Sequence, residues 1–201
     1  MTFVSGPCSE KAVKLSNPIG QVRTPGVRTL VESAEDASLV GAAREGDRAA
    51  FGQLYERYAR VVHGILLSRV PSEDVDDLVQ DVFLNAWRRL RTLRDHEAFG
   101  AWLAAIARNR AADHYRRSAV REELPEEFPV EEREQSEALA VLAAVKSLPD
   151  AYRETLILRL VEGLSGAEIA ARTGLTHGSV RVNLHRGMQQ LREKLGKGNN
   201  P

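Results

Sequence analysis

The residues of this chain best equipped for chemistry are arginines rather than nucleophiles. Over 172–197 six bases stand against the single acid Glu193, a net of +5. Within that run Arg181, His185 and Arg186 carry hydrogen-bonding heads, and Thr176, His177 and Ser179 just before them are small or polar. An arginine fork can grip two acceptors on a guanine edge or hold a phosphate, and a small polar helix start can enter the major groove. That is recognition chemistry. Residues 88–117 form a second basic run, eight arginines against Asp95, Glu97 and Asp113, again a net of +5. Here Asn109, Asp113 and Arg117 share one helical face with Arg108, Arg110 and Arg116 around them, and Tyr115 adds a ring that can stack on an unpaired base. Bond-making chemistry has no comparable constellation. His63, His96, His114, His177 and His185 are scattered, and neither a Gly-rich phosphate loop nor a nucleophile elbow is present. Adjacent Asp76 and Asp77 on a helix would point about 100° apart, with no histidine at ligand spacing, so no metal site is expected. Neither an enzyme nor a cofactor is expected.

Helices must position these groups, and the sequence marks them. Ser165-x-x-Glu168 is a capping box that opens a helix over 166–173. Gly174 then supplies the positive φ of a tight turn, and Leu175 plugs the angle. Thr176 or Ser179 can cap the next helix, whose inner stripe is Val180, Leu184, Met188 and Leu191. The result is a helix-turn-helix with Arg181, Asn183, His185 and Arg186 facing outwards. In "VDDLVQDVFLNAWRRL", residues 75–90, Val75, Leu78, Val79, Val82, Ala86 and Leu90 form one apolar stripe. Asp77, Gln80, Asp81 and Leu84 lie on another face at i, i+3, i+4 and i+7, an acidic stripe suited to a basic partner helix. Phe83 and Trp87 are expected in the core. Over 98–117 Phe99, Trp102, Leu103 and Ile106 bury the first half, and Asp113 to Arg117 has the acid-first i,i+4 order of a helix ion pair.

The wider chain follows from the same signals. Aromatic residues are only 5% of 201, Ala, Leu, Arg and Glu dominate, and no segment alternates with period two, so the chain is expected to be all-α. Zero net charge conceals two further blocks: five acids in 73–81, and eight glutamates against Arg133 in 122–137. Residues 1–33 are expected to be a disordered arm, with Ser33-x-x-Asp36 opening the first helix. Residues 34–117 form one helical domain, in which Asp47 caps the second helix. Residues 118–133, proline-containing and glutamate-rich, form an acidic flexible linker, and 134–201 a second helical domain. The lone Cys8 suits a reducing compartment. No apolar run approaches the length of a membrane span and no secretory signal is evident, so a cytoplasmic location without membrane insertion is expected.

"DLVQDVFLNAWRRL…AFGAWLAAIARNRAADHYRR", an acidic linker and "LPDAYRETLILRLVEGLSGAEIA" together resemble the extracytoplasmic-function (ECF) group of bacterial RNA polymerase sigma factors, over about residues 35–196. The resemblance implies region 2 over 34–117 and region 4 over 134–201. It implies that Asp77, Gln80, Asp81, Phe83 and Leu84 dock on the β′ clamp helices of core RNA polymerase, with the β flap a further polymerase contact. Arg91, Arg94, Asp95 and His96 of the loop, with Arg108, Asn109, Arg110, Arg116 and Arg117 of the following helix, would hold the unpaired −10 strand. Thr176, His177, Ser179, Arg181, Val182, His185 and Arg186 would read the −35 element. Val182 and Asn183 depart from the small polar and basic residues usual in the family at those positions. An anti-sigma factor is implied as a partner by family alone. The geometry of the chain is compatible: a linker of about 16 residues spans at most ~50–55 Å, and two elements about one and a half turns apart are separated by a duplex of ~35 Å per turn.

Overall fold

The computed structural model describes residues 25–121 and 137–197, with side chains over 34–117 and 138–196. Among the described residues there are helices and short 3-10 turns but no strand. The first unit comprises α1 (Pro25–Arg44), α2 (Arg48–Leu67), α3 (Val75–Arg89) and α4 (Phe99–Arg121). Asp47 accepts hydrogen bonds from the Ala49 and Ala50 amides at 2.8 and 3.1 Å, so α2 begins where the cap residue predicts. Gly46, at φ +100°, supplies the turn between α1 and α2. The α2 stripe of Leu54, Tyr58, Val61, Val62 and Ile65 is buried, as are all six apolar residues anticipated on 75–90. The Tyr58 hydroxyl donates to Asp36 at 2.7 Å, and Arg57 donates to the same carboxylate, pinning α1 to α2. Burial, reinforced by that carboxylate, pushes the Tyr58 phenol far above its ordinary range.

The second unit comprises α5 (Glu137–Lys146), α6 (Asp150–Leu160), α7 (Gly166–Thr173) and α8 (His177–Lys197). Both halves of the Ser165/Glu168 capping box are formed, and Gly174 takes φ +76° at the end of α7. Thr176 caps α8 by accepting from the Ser179 amide at 3.1 Å. Val180 and Leu191 are buried and Leu184 and Met188 half-buried, so the inner stripe of α8 stands as read.

The two units are docked on each other. α6 packs on α2, and α7 packs on α4 and α1. Glycines permit the approach: a Cβ on Gly64 would lie 2.7 Å from Leu158 Cδ2, and one on Gly174 2.7 Å from the Ala101 Cβ. Glu154, only 4% exposed, accepts from Arg69 at 2.9 Å and from Arg108 at 2.7 and 3.1 Å. Burial alone would raise the Glu154 carboxyl, but the Arg108 and Arg69 guanidiniums outweigh it and hold it below the usual carboxylate range. At the end of α6 the buried Glu162 meets His63 Nδ1 at 2.6 Å and pairs with Arg60. Its hydrogen bond raises His63 above the ordinary histidine value despite partial burial.

Two boundaries and one ion pair differ from the sequence reading. The first helix starts at Pro25, not at the Ser33/Asp36 capping pattern. Proline is favoured at the first helical position, and Ser33 falls inside the helix it was expected to open. Residues 1–24 of the expected arm lie outside the described residues. α4 continues through Arg121, so 118–121 are helical instead of linker; the linker from 122 onwards lies outside the described residues, as do 134–136 and 198–201. Finally, Asp113 pairs with Arg116 at i,i+3 instead of Arg117, since both spacings bring side chains together on a helix.

Candidate nucleic-acid interface

α8 presents the recognition face. Its first three turns and the turn before it expose Thr176, His177, Ser179, Arg181, Val182, His185 and Arg186, with Asn183 half-buried. Val182 is 42% exposed, an apolar side chain on the face expected to meet bases. Among the described residues no ion pair involves Arg181 or Arg186, so both guanidiniums are available to acceptors outside the chain.

The acidic face of α3 is formed as expected, with Asp77, Gln80 and Leu84 exposed, Leu84 by 53%. Asp81 is different. It is half-buried and pairs with Arg110 of α4, so two residues assigned by resemblance to separate partners neutralise each other. Phe83 is 4% exposed; it floors a groove of about 420 Å³ walled by Arg48, Phe51, Tyr55, Gln80, Leu84 and Trp87. The rings interlock, Tyr55 with Phe83 at 4.5 Å and Phe51 with Trp87 at 4.8 Å. Phe51 and Tyr55 of α2 form one wall of the groove, with Tyr55 40% exposed.

The 91–97 segment and α4 split into two environments. Arg91, Arg94 and Asp95 are exposed, and Asp95 also caps a 3-10 turn by accepting from the Glu97 amide at 3.0 Å. His96 Nε2 accepts from Arg44 at 2.6 Å, a partner that sequence reasoning missed because it lies 52 residues away. On α4, Asn109, Arg116 and Arg117 are exposed, whereas Arg108 points into the inter-unit contact at Glu154. Asn109 and Arg108 are neighbours about 100° apart on the helix, so they face different surroundings.

Comparison with known proteins separates the same two units. The family description Sigma-70 region 2 matches residues 54–121, and Sigma-70, region 4 matches 138–191. The ECF RNA polymerase sigma factor BldN of Streptomyces coelicolor is 36% identical over 177 residues, covering 82% of this chain and 67% of that protein. The chain is an ECF sigma factor. A second relative, ECF RNA polymerase sigma factor SigM of Mycobacterium tuberculosis, is 35% identical over 167 residues, covering 80% of this chain and 85% of its own. Among solved structures, that of CnrH in complex with the cytosolic domain of CnrY aligns with a TM-score of 0.57 and 29% identity, over 83% of this chain and 99% of the other. The region 2 match in this sigma factor ends on Arg121, the last residue of α4, and the region 4 match spans α5 and most of α8. α1 precedes both. No helix among the described residues is long and apolar enough to cross a membrane.

Proposed function

We propose that this sigma factor divides promoter recognition between its units: the exposed stripe of α3 and its aromatic groove dock on core polymerase, the 91–97 segment and the exposed face of α4 hold the unpaired −10 strand, and α8 reads the −35 element. The observation that carries this reading is the pattern of exposure. Asp77, Gln80, Leu84, Arg91, Arg94, Asn109, Arg181 and His185 are all outward-facing although they lie on helices and turns whose opposite faces are closed core. Such a molecule acts by binding, and no bond-making step is assigned to it; it would work in the cytoplasm, where the polymerase is. That CnrH is seen bound to another protein, the cytosolic domain of CnrY, supports a protein regulator, an anti-sigma factor, as a further partner. Arg108, assigned by resemblance to the −10 strand, can reach a phosphate only after its contact with Glu154 is released.

Purified core polymerase tests the reading directly. The chain should direct transcription from a promoter fragment that its holoenzyme selects from a random duplex library. Asp77→Arg should weaken core binding by at least ~10-fold, because it sets a like charge against a basic partner surface. Asp77 is the residue to reverse, since reversing Asp81 would also break its pair with Arg110. Unchanged core affinity in a fully helical Asp77→Arg variant would remove the docking assignment.

A further inference from the structure

Beside the 91–97 segment, the last turn of α1 and the end of α3 enclose a cavity of about 330 Å³ lined chiefly by Arg44, Trp87, Arg88, Leu90 and Arg91. Three guanidiniums share it and no carboxylate lines it. Arg44 is hydrogen-bonded to His96 Nε2, a partner that carries no negative charge. The Arg44 charge is therefore not balanced by its partner. Among the described residues neither Arg88 nor Arg91 makes an ion pair. Asp47, the acid that follows Gly46 of the cavity wall, is turned back onto the Ala49 and Ala50 amides. Uncompensated like charges around one cavity favour an anion inside it.

Trp87 adds the second half of the chemistry. Its indole is half-buried and held against the Phe51 ring at 4.8 Å and 64°, and Trp87 lines the cavity. A fixed aromatic beside guanidiniums is the arrangement that binds unpaired nucleic acid, the ring taking the base and the arginines the phosphate. Arg91 belongs to the segment assigned above to the −10 strand, and Trp87 also walls the groove assigned to core polymerase, whereas Arg44 and Arg88 carry no assignment. We propose that this cavity holds a phosphodiester and its base from the unpaired promoter strand, extending the strand path from the 91–97 segment towards the α1–α2 turn. The proposal rests on the −10 assignment of that segment.

The test uses full-length protein assembled with core polymerase and, as probe, the single non-template strand of a promoter selected by that holoenzyme. Affinity is measured from 50 to 200 mM KCl. Arg88→Ala should lower affinity ~10-fold, as loss of one charged contact does, and reduce the salt slope by ~0.7. Arg88→Lys should restore the slope, and core affinity should not change in either variant. Arg88→Ala that matches wild type in affinity and slope, while Asn109→Ala weakens binding, overturns the cavity proposal and leaves the −10 assignment standing. Loss in Arg88→Ala with none in Asn109→Ala supports the cavity and removes the assignment of α4; no loss in either overturns both. ATP serves as the competing probe. If it binds wild type but not Arg88→Ala, and strand affinity is the same in both, the cavity is a site for free nucleotides and the strand proposal falls.

Discussion

His63 is the titrating residue whose protonation both units feel. Glu162 of the second unit holds its Nδ1 at 2.6 Å, Arg60 pairs with the same carboxylate, and Asp76 adds to the field. A histidine raised in the folded state contributes stability that is complete below its unfolded value, near 6.5, and is lost as pH rises through the folded one. The contact between α2 and the end of α6 should therefore loosen between mildly acidic and alkaline pH. A dye pair on α2 and α8 would report it as falling energy transfer, and His63→Gln should flatten that step. A step that persists in the variant places its origin elsewhere. Arg181 and Arg186 invite a separate test, because five residues on a helix set them ~140° apart. Arg181→Ala should relax discrimination at one −35 base pair by ~1–3 kcal/mol. Arg186→Ala should weaken all sequences alike and lower the salt slope by about one. Binding of both variants to matched and singly substituted sites across a salt series separates the two roles; uniform loss in both would mean that neither reads a base.

At the scale of elements, Gly64 shows how closely two helices can be made to lie. An added methyl would meet the fully buried Leu158, which has nowhere to move, and the Glu162 side chain at 2.9 Å. Gly64→Ala should cost about 1–3 kcal/mol by overpacking, and that cost should fall on the α2–α6 contact while each unit keeps its own helices. Unchanged helicity with a larger radius of gyration is the expected result; an unchanged radius with unchanged stability would show that the contact adapts. Elements bounded by local chemistry were legible in the sequence. The cap at Ser165, the turn at Gly174 and the cap at Asp47 each act within a few residues, and the helices they bound were read correctly. The start of α1 was not legible, because Ser33 and Asp36 imitate a capping box while Pro25 begins the helix without one. The groove was half legible: the acidic stripe shows in the spacing of α3, but its wall comes from Phe51 and Tyr55, whose spacing equally describes a core face. The partners of Arg44, Asp81 and Arg108 were not legible at all, since they lie 52, 29 and 46 residues away and no local period records them.

Across the whole molecule, one carboxylate does most to fasten the second unit to the first. Glu154→Ala would leave Arg108 without its carboxylate and Arg69 with the exposed Asp150 alone, a loss of roughly 3 kcal/mol for a largely buried pair. Two separate thermal transitions in place of one, with the first unit still helical after the earlier of them, are the expected outcome. A single unshifted transition would show that apolar packing alone fastens the units. The covalent link makes the loss visible in another currency. Residues 122–136 tether the two partners, so docking is an intramolecular equilibrium governed by effective concentration, on the order of millimolar for a short chain. A surface with a bimolecular dissociation constant of about 10 μM would then be docked in about 99 molecules of 100. Removing about 3 kcal/mol changes that ratio roughly 150-fold and leaves docked and parted molecules in comparable number. The salt bridges of Glu154 thus set a population, and whatever competes for Arg108 shifts it by mass action.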